Sequence, residues 1–439
     1  MSILRKYSIH FSMVGPFQED VNTDQFLLIS RGFTMQHKTN IIICVGLLLN
    51  CICLPIISAA DFCPPLDPPS GSVVTVSTEA DLRFAATKSE SGTTILVSPG
   101  NYSMKNFIHV VNDSIAIRGK TGNRDDIILD FGGMIDGHFG ILVEGDDFTI
   151  ADLTIRNAKN HGVSIQGVDR PILYNLKIQD IGDQLVKVNP IGDGSEDGLL
   201  ACSCLEYTTS APDTYTNGIS AHDSHRWIVR DNQWKRIRTN DDNVTIPAIL
   251  FWSGSSDTVV KRNLLVDCSR GIAFGNPSHS GVDHLGGKVF NNVIYSTLKH
   301  DVAIEMVRAE GWLVAHNTAI LLNPISGLTW GMEARFAESV GTFANNLTNM
   351  NIFGNRNGAN TSLSNNIMNA QLSLFSDAAN GDFHLNETAD EAVNQGIFLA
   401  DVTTDFDGEM RDSKPDIGAY ELPQSQLSPD PPTNLRIVE

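Results

Sequence analysis

Four stretches decide the fold: HGVSIQ (161–166), LVKVN (185–189), GISAH (218–222) and AILFW (248–252). Each alternates apolar and other residues, as a short strand does when its side chains point to opposite faces. Superposed on their apolar positions, Val163 and Ile165 align with Val186 and Val188, with Ile219 and Ala221, and with Ile249 and Phe251. The residues between them face the other way. One outward column is Ser164, Lys187, Ser220 and Leu250; the next is Gln166, Asn189, His222 and Trp252. Parallel stacking sets column neighbours about 4.8 Å apart. Residues distant in sequence then share one patch: an amine, an imidazole, an amide and an indole. Continued along the chain, the alternation predicts one interior column of Val163, Val186, Ile219, Ile249, Ile272 and Val302.

The pattern repeats loosely from about residue 108 to 375, each unit carrying an Asn in a similar context: Asn157, Asn175, Asn232, Asn263, Asn292, Asn317, Asn346 and Asn366. Periods of about 20–30 residues built from small strands indicate a solenoid. Asn at an equivalent turn tolerates the left-handed conformation and can form a hydrogen-bonded ladder. Ahead of the repeats, SVVTVS reads as a strand and Thr78 as the N-cap of a short amphipathic helix with Asp81 at its third position. TTILVSPGNY (93–102) follows as a buried strand and turn.

The chain has 439 residues, a net charge of -20, 36 glycines and only 19% charged residues. Such a charge excludes a nucleic-acid partner, which needs a basic face. Lys38 precedes the apolar run 41–58, and Ser58-Ala59-Ala60 fits a small-residue cleavage site. The run is near bilayer-spanning length, but Asn50, Pro55 and the cleavage site favour export. Residues 1–60 are therefore read as a leader with Met35 as candidate start, leaving no membrane segment once it is removed. Residues 61–422 form the repeat domain, and 423–439 a Pro/Ser-rich linker whose PPTNLRIVE resembles the first strand of a fibronectin type III module. The mature cysteines Cys63, Cys202, Cys204 and Cys268 allow three pairings, and no second pair has metal-ligand spacing beside Cys202 and Cys204.

The capping helix, ILVSPGNY, the short strands, and the closing stretches 381–396 and 405–421 together resemble secreted parallel β-helix proteins. GDQLVKVN and ISAHDSH narrow the resemblance to the pectate-lyase-like superfamily, nearest its alginate lyase and chondroitinase B type. The resemblance implies an all-β, right-handed parallel β-helix with a short N-terminal capping helix. It also implies a polysaccharide lyase, in which a lysine removes the C5 proton of a uronic acid. An arginine and then a histidine lie on the next rung, and calcium neutralises the substrate carboxylate. Lys187 stands at the base's place, and His222 and His225 at the family's histidine places. Ala221 stands where the arginine is expected, and the family's acidic calcium ligands have no clear counterpart.

The chemistry leads to the same class. Abstraction next to a carboxylate needs a base, a cation for the enolate-like charge and an acid for the leaving oxygen. A lysine of lowered pKa suits the base. His222 is expected as the acid, with His225 or Arg226 neutralising the carboxylate. Trp252 is expected as a sugar platform; Gln166, Asn189, His161, Arg270 and Glu305 are further substrate contacts. The basic band 225–238 fits a polyanion. Asp193, Glu196 and Asp197 offer an oxygen-rich loop for calcium, a composition that a solvated acidic loop shares. The insertion 190–216 is expected to be a long ordered loop walling the cleft. The expected protein is thus a secreted, monomeric lyase acting on an anionic polysaccharide. The rivals are a glycoside hydrolase using Asp183, Asp223 and Asp301, a uronan C5-epimerase, and a non-catalytic carbohydrate-binding surface protein.

Overall fold

The computed structural model describes residues 62–241, 243–323 and 330–423; the leader with Met35, and PPTNLRIVE, lie outside them. Among the described residues, successive coils lay strands onto three parallel sheets, one of 16 strands and two of 10, with a two-stranded antiparallel hairpin near the C-terminus. One coil shows the pattern: Gln184–Asn189, Leu199–Ala201 and Cys204–Glu206 each join a different sheet before Asn217–His222 returns to the first. This is the solenoid that the repeats indicated, and the right-handed parallel β-helix that the resemblance implied. No described helix is long and apolar enough to cross a membrane.

The expected registers hold: Val163 faces Val186, Val186 faces Ile219, Ile219 faces Ile249, and Ile249 faces Ile272. The next partner is Ile304, not Val302, which faces Trp330 instead. The strand Val302–Val307 enters two residues early, and a two-residue shift keeps the same side of the sheet. Val302 therefore remains interior, at 1% exposure, but in a different column.

The asparagine ladder runs from Asn232 through Asn263, Asn292, Asn317 and Asn346 to Asn366, each amide donating to the next side-chain oxygen at 2.9–3.0 Å. The left-handed residue is not the ladder Asn but the one before it: Asp231, Arg262, Asn291, His316, Asn345 and Asn365 all have φ between 49° and 57°. Asn157 and Asn175 are themselves left-handed and stand outside the ladder, donating to Asp130 and Asp152. Leu176, which follows Asn175, occupies the ladder place as a buried apolar residue.

The helix Glu79–Lys88 begins as expected, with the Thr78 hydroxyl accepting from the Asp81 N–H at 3.1 Å. The insertion 190–216 is not one loop. Leu200 and Leu205 are buried, and LLA and CLE complete the coil as strands, leaving only 207–216 to reach the site. An N-terminal strap crosses the outside of the 16-stranded sheet. Cys63 is bonded to Cys202; Tyr174 donates to Pro64 O, Arg118 to Leu66 O and Asp67 O, and Arg230 to Phe62 O. Cys268 is a buried free thiol. The closing segment packs Phe375, Phe383, Phe406 and Tyr420 against Val293, Ile320 and Leu347 on a second sheet.

Candidate functional site

The 10-stranded sheet that contains Gln184–Asn189 carries an outward column in unbroken register: Leu142, Ser164, Lys187, Ser220, Leu250, Ala273, Glu305 and Glu333. Serines on both sides of Lys187 leave room for its aliphatic chain to lie along the sheet, and the residue is only 6% exposed. Its Nζ stands 2.7 Å from His222 Nε2 and 3.2 Å from Ser220 Oγ. The Trp252 indole donates to the same Ser220 oxygen at 3.4 Å. These groups line a cavity of about 300 Å³ with Tyr215, Arg270 and Glu305. Tyr215 comes from the shortened insertion, Ile246 and Pro247 from the stretch before Ile249–Trp252, and Asn276 and Pro277 from the turn after Ile272–Phe274.

Burial favours the neutral amine and lowers Lys187 to about 8, although the charge of Asp183 opposes this. Burial lowers His222 to about 3, and the nearby charges of Lys187 and His279 act in the same direction. His222 is therefore neutral near pH 7, whereas the sequence reading expected a protonated acid. Tyr215 is raised by burial and by Asp183, so its phenol keeps its proton. Glu305 is also raised, by burial, against the opposing charge of Arg270. Arg270 is ion-paired with Glu305 and, at 3.4 Å, with Asp301. The Trp252 ring stacks on His279 at 4.9 Å and meets His222 edge-on at 4.3 Å, so it is a flanked ring, not a bare platform. His279 is in turn held by the buried Asp283 at 2.6 Å.

Gln166, Asn189 and His161 line a recess next along the same sheet, beside Ser164. His225 and Arg226 do not reach the cavity. Asp223, at φ 44°, turns the chain after His222, and Ser224–His225 pairs into the 16-stranded sheet. There His225 contacts Asp223 at 3.2 Å and Ser256 at 2.9 Å, while Arg226 is clamped by Glu196 and Asp197. The basic band is likewise engaged within the protein: Arg230 pairs with Asp231, Arg236 donates to Tyr207 O and Arg238 to Lys299 O. Asp183, Asp223 and Asp301 do not line the cavity; they meet Asn160, His225 and Arg270 respectively.

The calcium loop fits poorly. Glu196 and Asp197 direct their carboxylates at a guanidinium, which occupies the place where a cation would have to bind. Among the described residues the other candidate metal group is Cys63, Cys202 and Asp231, and its two sulfurs are joined in the disulfide. A larger cavity of about 720 Å³ lies beside that disulfide, away from the Lys187 column.

Tyr215, Ser220 and the His279–Asp283 pair were not singled out from sequence. Ser220 stood in the outward column and Tyr215 in the insertion. His279 had no signal, because a turn brings it to Trp252.

The fold has solved counterparts. Pectate lyase Pel9A superposes with a TM-score of 0.52 at 13% identity, over 77% of this chain and 90% of its own. The chain has the pectate-lyase-like parallel β-helix fold. An alginate lyase from Paenibacillus sp. strain FPU-7 gives 0.46 at 16% identity, over 68% of this β-helix chain and 99% of its own. PfbA, a surface adhesin of Streptococcus pneumoniae, gives 0.42 at 11% identity, over 66% and 85%. No protein-family model matches the sequence, and no curated protein does.

Proposed function

We propose that the chain is a secreted polysaccharide lyase that cleaves a uronic-acid-containing polymer by β-elimination, with Lys187 as the base. One observation carries this reading: a buried amine of lowered pKa in a groove, with Ser220 Oγ and His222 Nε2 within hydrogen-bond distance on two sides. A neutral amine has two N–H donors and one lone pair. His222 Nε2 and Ser220 Oγ take the donors, which leaves the lone pair for the substrate. In the reaction Lys187 takes the C5 proton, the C4–O4 bond breaks and C4=C5 forms. The leaving oxygen takes a proton from Tyr215, whose phenol lines the same cavity. Asp183 acts on the charge of both Lys187 and Tyr215, which supports their being near one another. No step is routed through calcium.

The test is ultraviolet absorbance of the conjugated product over a panel of uronic-acid polysaccharides. A rise on at least one polymer is expected. Exchange of the C5 hydrogen with solvent without absorbance would indicate an epimerase, and new reducing ends without absorbance would indicate a hydrolase. Either result would overturn the proposal.

A further inference from the structure

We propose that the groove holds a second subsite, beside Lys187, for an uncharged sugar unit. Its substrate would then be a polymer in which the cleaved uronate is flanked by neutral or esterified units, not a bare polyuronate. This rests on the reading of the groove as a glycan site.

The subsite is the recess of about 310 Å³ lined by Phe107, Phe139, Leu142, His161, Gln166 and Asn189. It continues the catalytic column directly: Leu142 faces Ser164, Ser164 faces Lys187, and Gln166 faces Asn189. A chain lying across Lys187 therefore runs into it. Its chemistry contrasts with that of the neighbouring cavity, which holds Lys187, Arg270 and Glu305. None of the groups lining the recess is charged near neutral pH. Its one titratable member, His161, is lowered to about 4 by burial and by Lys187.

Phe139 is 49% exposed, and its ring centroid lies 6.3 Å from that of His161. Exposed aromatic rings beside a binding groove offer an apolar face to the C–H side of a sugar ring. A carboxylate placed there would give up hydration for neutral groups alone, with no cation among the lining groups to pair with it. An uncharged ring, or a uronate masked as its ester, carries no such penalty.

The test measures affinity by calorimetry, using Lys187→Ala protein so that no probe is cleaved. Three probes of equal length are compared: a bare oligouronide, its methyl ester, and an oligosaccharide alternating uronate with a neutral sugar. The methyl ester or the alternating probe should bind at least about tenfold tighter than the bare acid, roughly 1.4 kcal/mol. Whichever of the two does so identifies the source of the uncharged unit. Phe107→Ala/Phe139→Ala in the same background should abolish the preference, with an unchanged circular dichroism spectrum. Equal affinities, preference for the bare acid, no binding of any probe, or an unaltered preference in the double variant would each overturn the subsite. Preferential binding without unsaturated product from wild type would sink the lyase reading and leave the subsite standing.

Discussion

Lys187 Nζ and His222 Nε2 lie 2.7 Å apart on adjacent rungs, although 35 residues separate them in sequence. Burial lowers both, Lys187 to about 8 and His222 to about 3, and the charge of Lys187 adds to the shift of His222. At pH 7 a lysine of pKa about 8 is neutral in roughly a tenth of molecules, against well under a thousandth at the ordinary value. A base must be neutral to act, so kcat/KM should rise with pH and level off above about 8. A pH–rate profile checks this. A profile already flat from pH 6 upward would remove Lys187 as the titrating base.

His222 is neutral throughout that range, so it should add no limb of its own near neutrality. His222→Gln is expected to lower turnover by about tenfold or more, because the amine loses its aligned acceptor. The profile should keep its shape. A limb near pH 6–7 that disappears in the variant would restore His222 as the acid.

Much of this site was legible in the sequence, and the reason is geometric. A parallel rung repeats a period-two pattern, so aligning apolar residues fixes which outward residues are neighbours. That is why Ser164, Lys187 and Ser220 fell into one column. Position along a strand was harder to read. Val302 and Ile304 have the same parity, and only the strand's entry point decides which of them meets Ile272. Turns were harder still. The sequence HDSHR looks like one cluster, but the left-handed Asp223 sends His225 and Arg226 to a different sheet. Charge state was not legible, because it depends on burial supplied by the loops at Tyr215 and His279.

Asn292 links two ladder neighbours and also donates to Val260 O and Phe290 O, all buried. Asn292→Ala should cost about 3 kcal/mol, since each buried group left unpaired costs about 1–3 kcal/mol. Denaturant unfolding measures it, and a loss under about 1 kcal/mol would argue that the ladder contributes little.

The Cys63–Cys202 bond closes a long loop, with a sequence separation of 139, and fastens the strap on a sheet other than that of Lys187. Cys63→Ser/Cys202→Ser should lose about 2–5 kcal/mol of stability. Turnover at low temperature should be kept. Scanning calorimetry and an activity assay separate the two effects; loss of activity in a folded variant would contradict a purely structural strap.

His384 bridges Asp382 and Asp407 beside Tyr420 in the closing segment. Burial alone would lower its pKa, but the bonds to Asp407 and Asp382 outweigh this and raise it from 6.5 to about 9. A raised histidine stabilises the fold fully below 6.5, and that stabilisation is lost as pH climbs through about 9. Tm should therefore fall across that window in wild type and fall less in His384→Gln. Equal slopes would remove His384 from the linkage.

The most direct test of the account is turnover by Lys187→Ala, measured as ultraviolet-absorbing product on a polymer that wild type cleaves. The column places this side chain outside the apolar core, so the variant should keep its circular dichroism spectrum and unfold no more readily than wild type. Its turnover should drop by about 10²–10⁴-fold or more. A well-folded Lys187→Ala protein that retains wild-type turnover would contradict the assignment of the base, and with it the mechanism proposed for this groove.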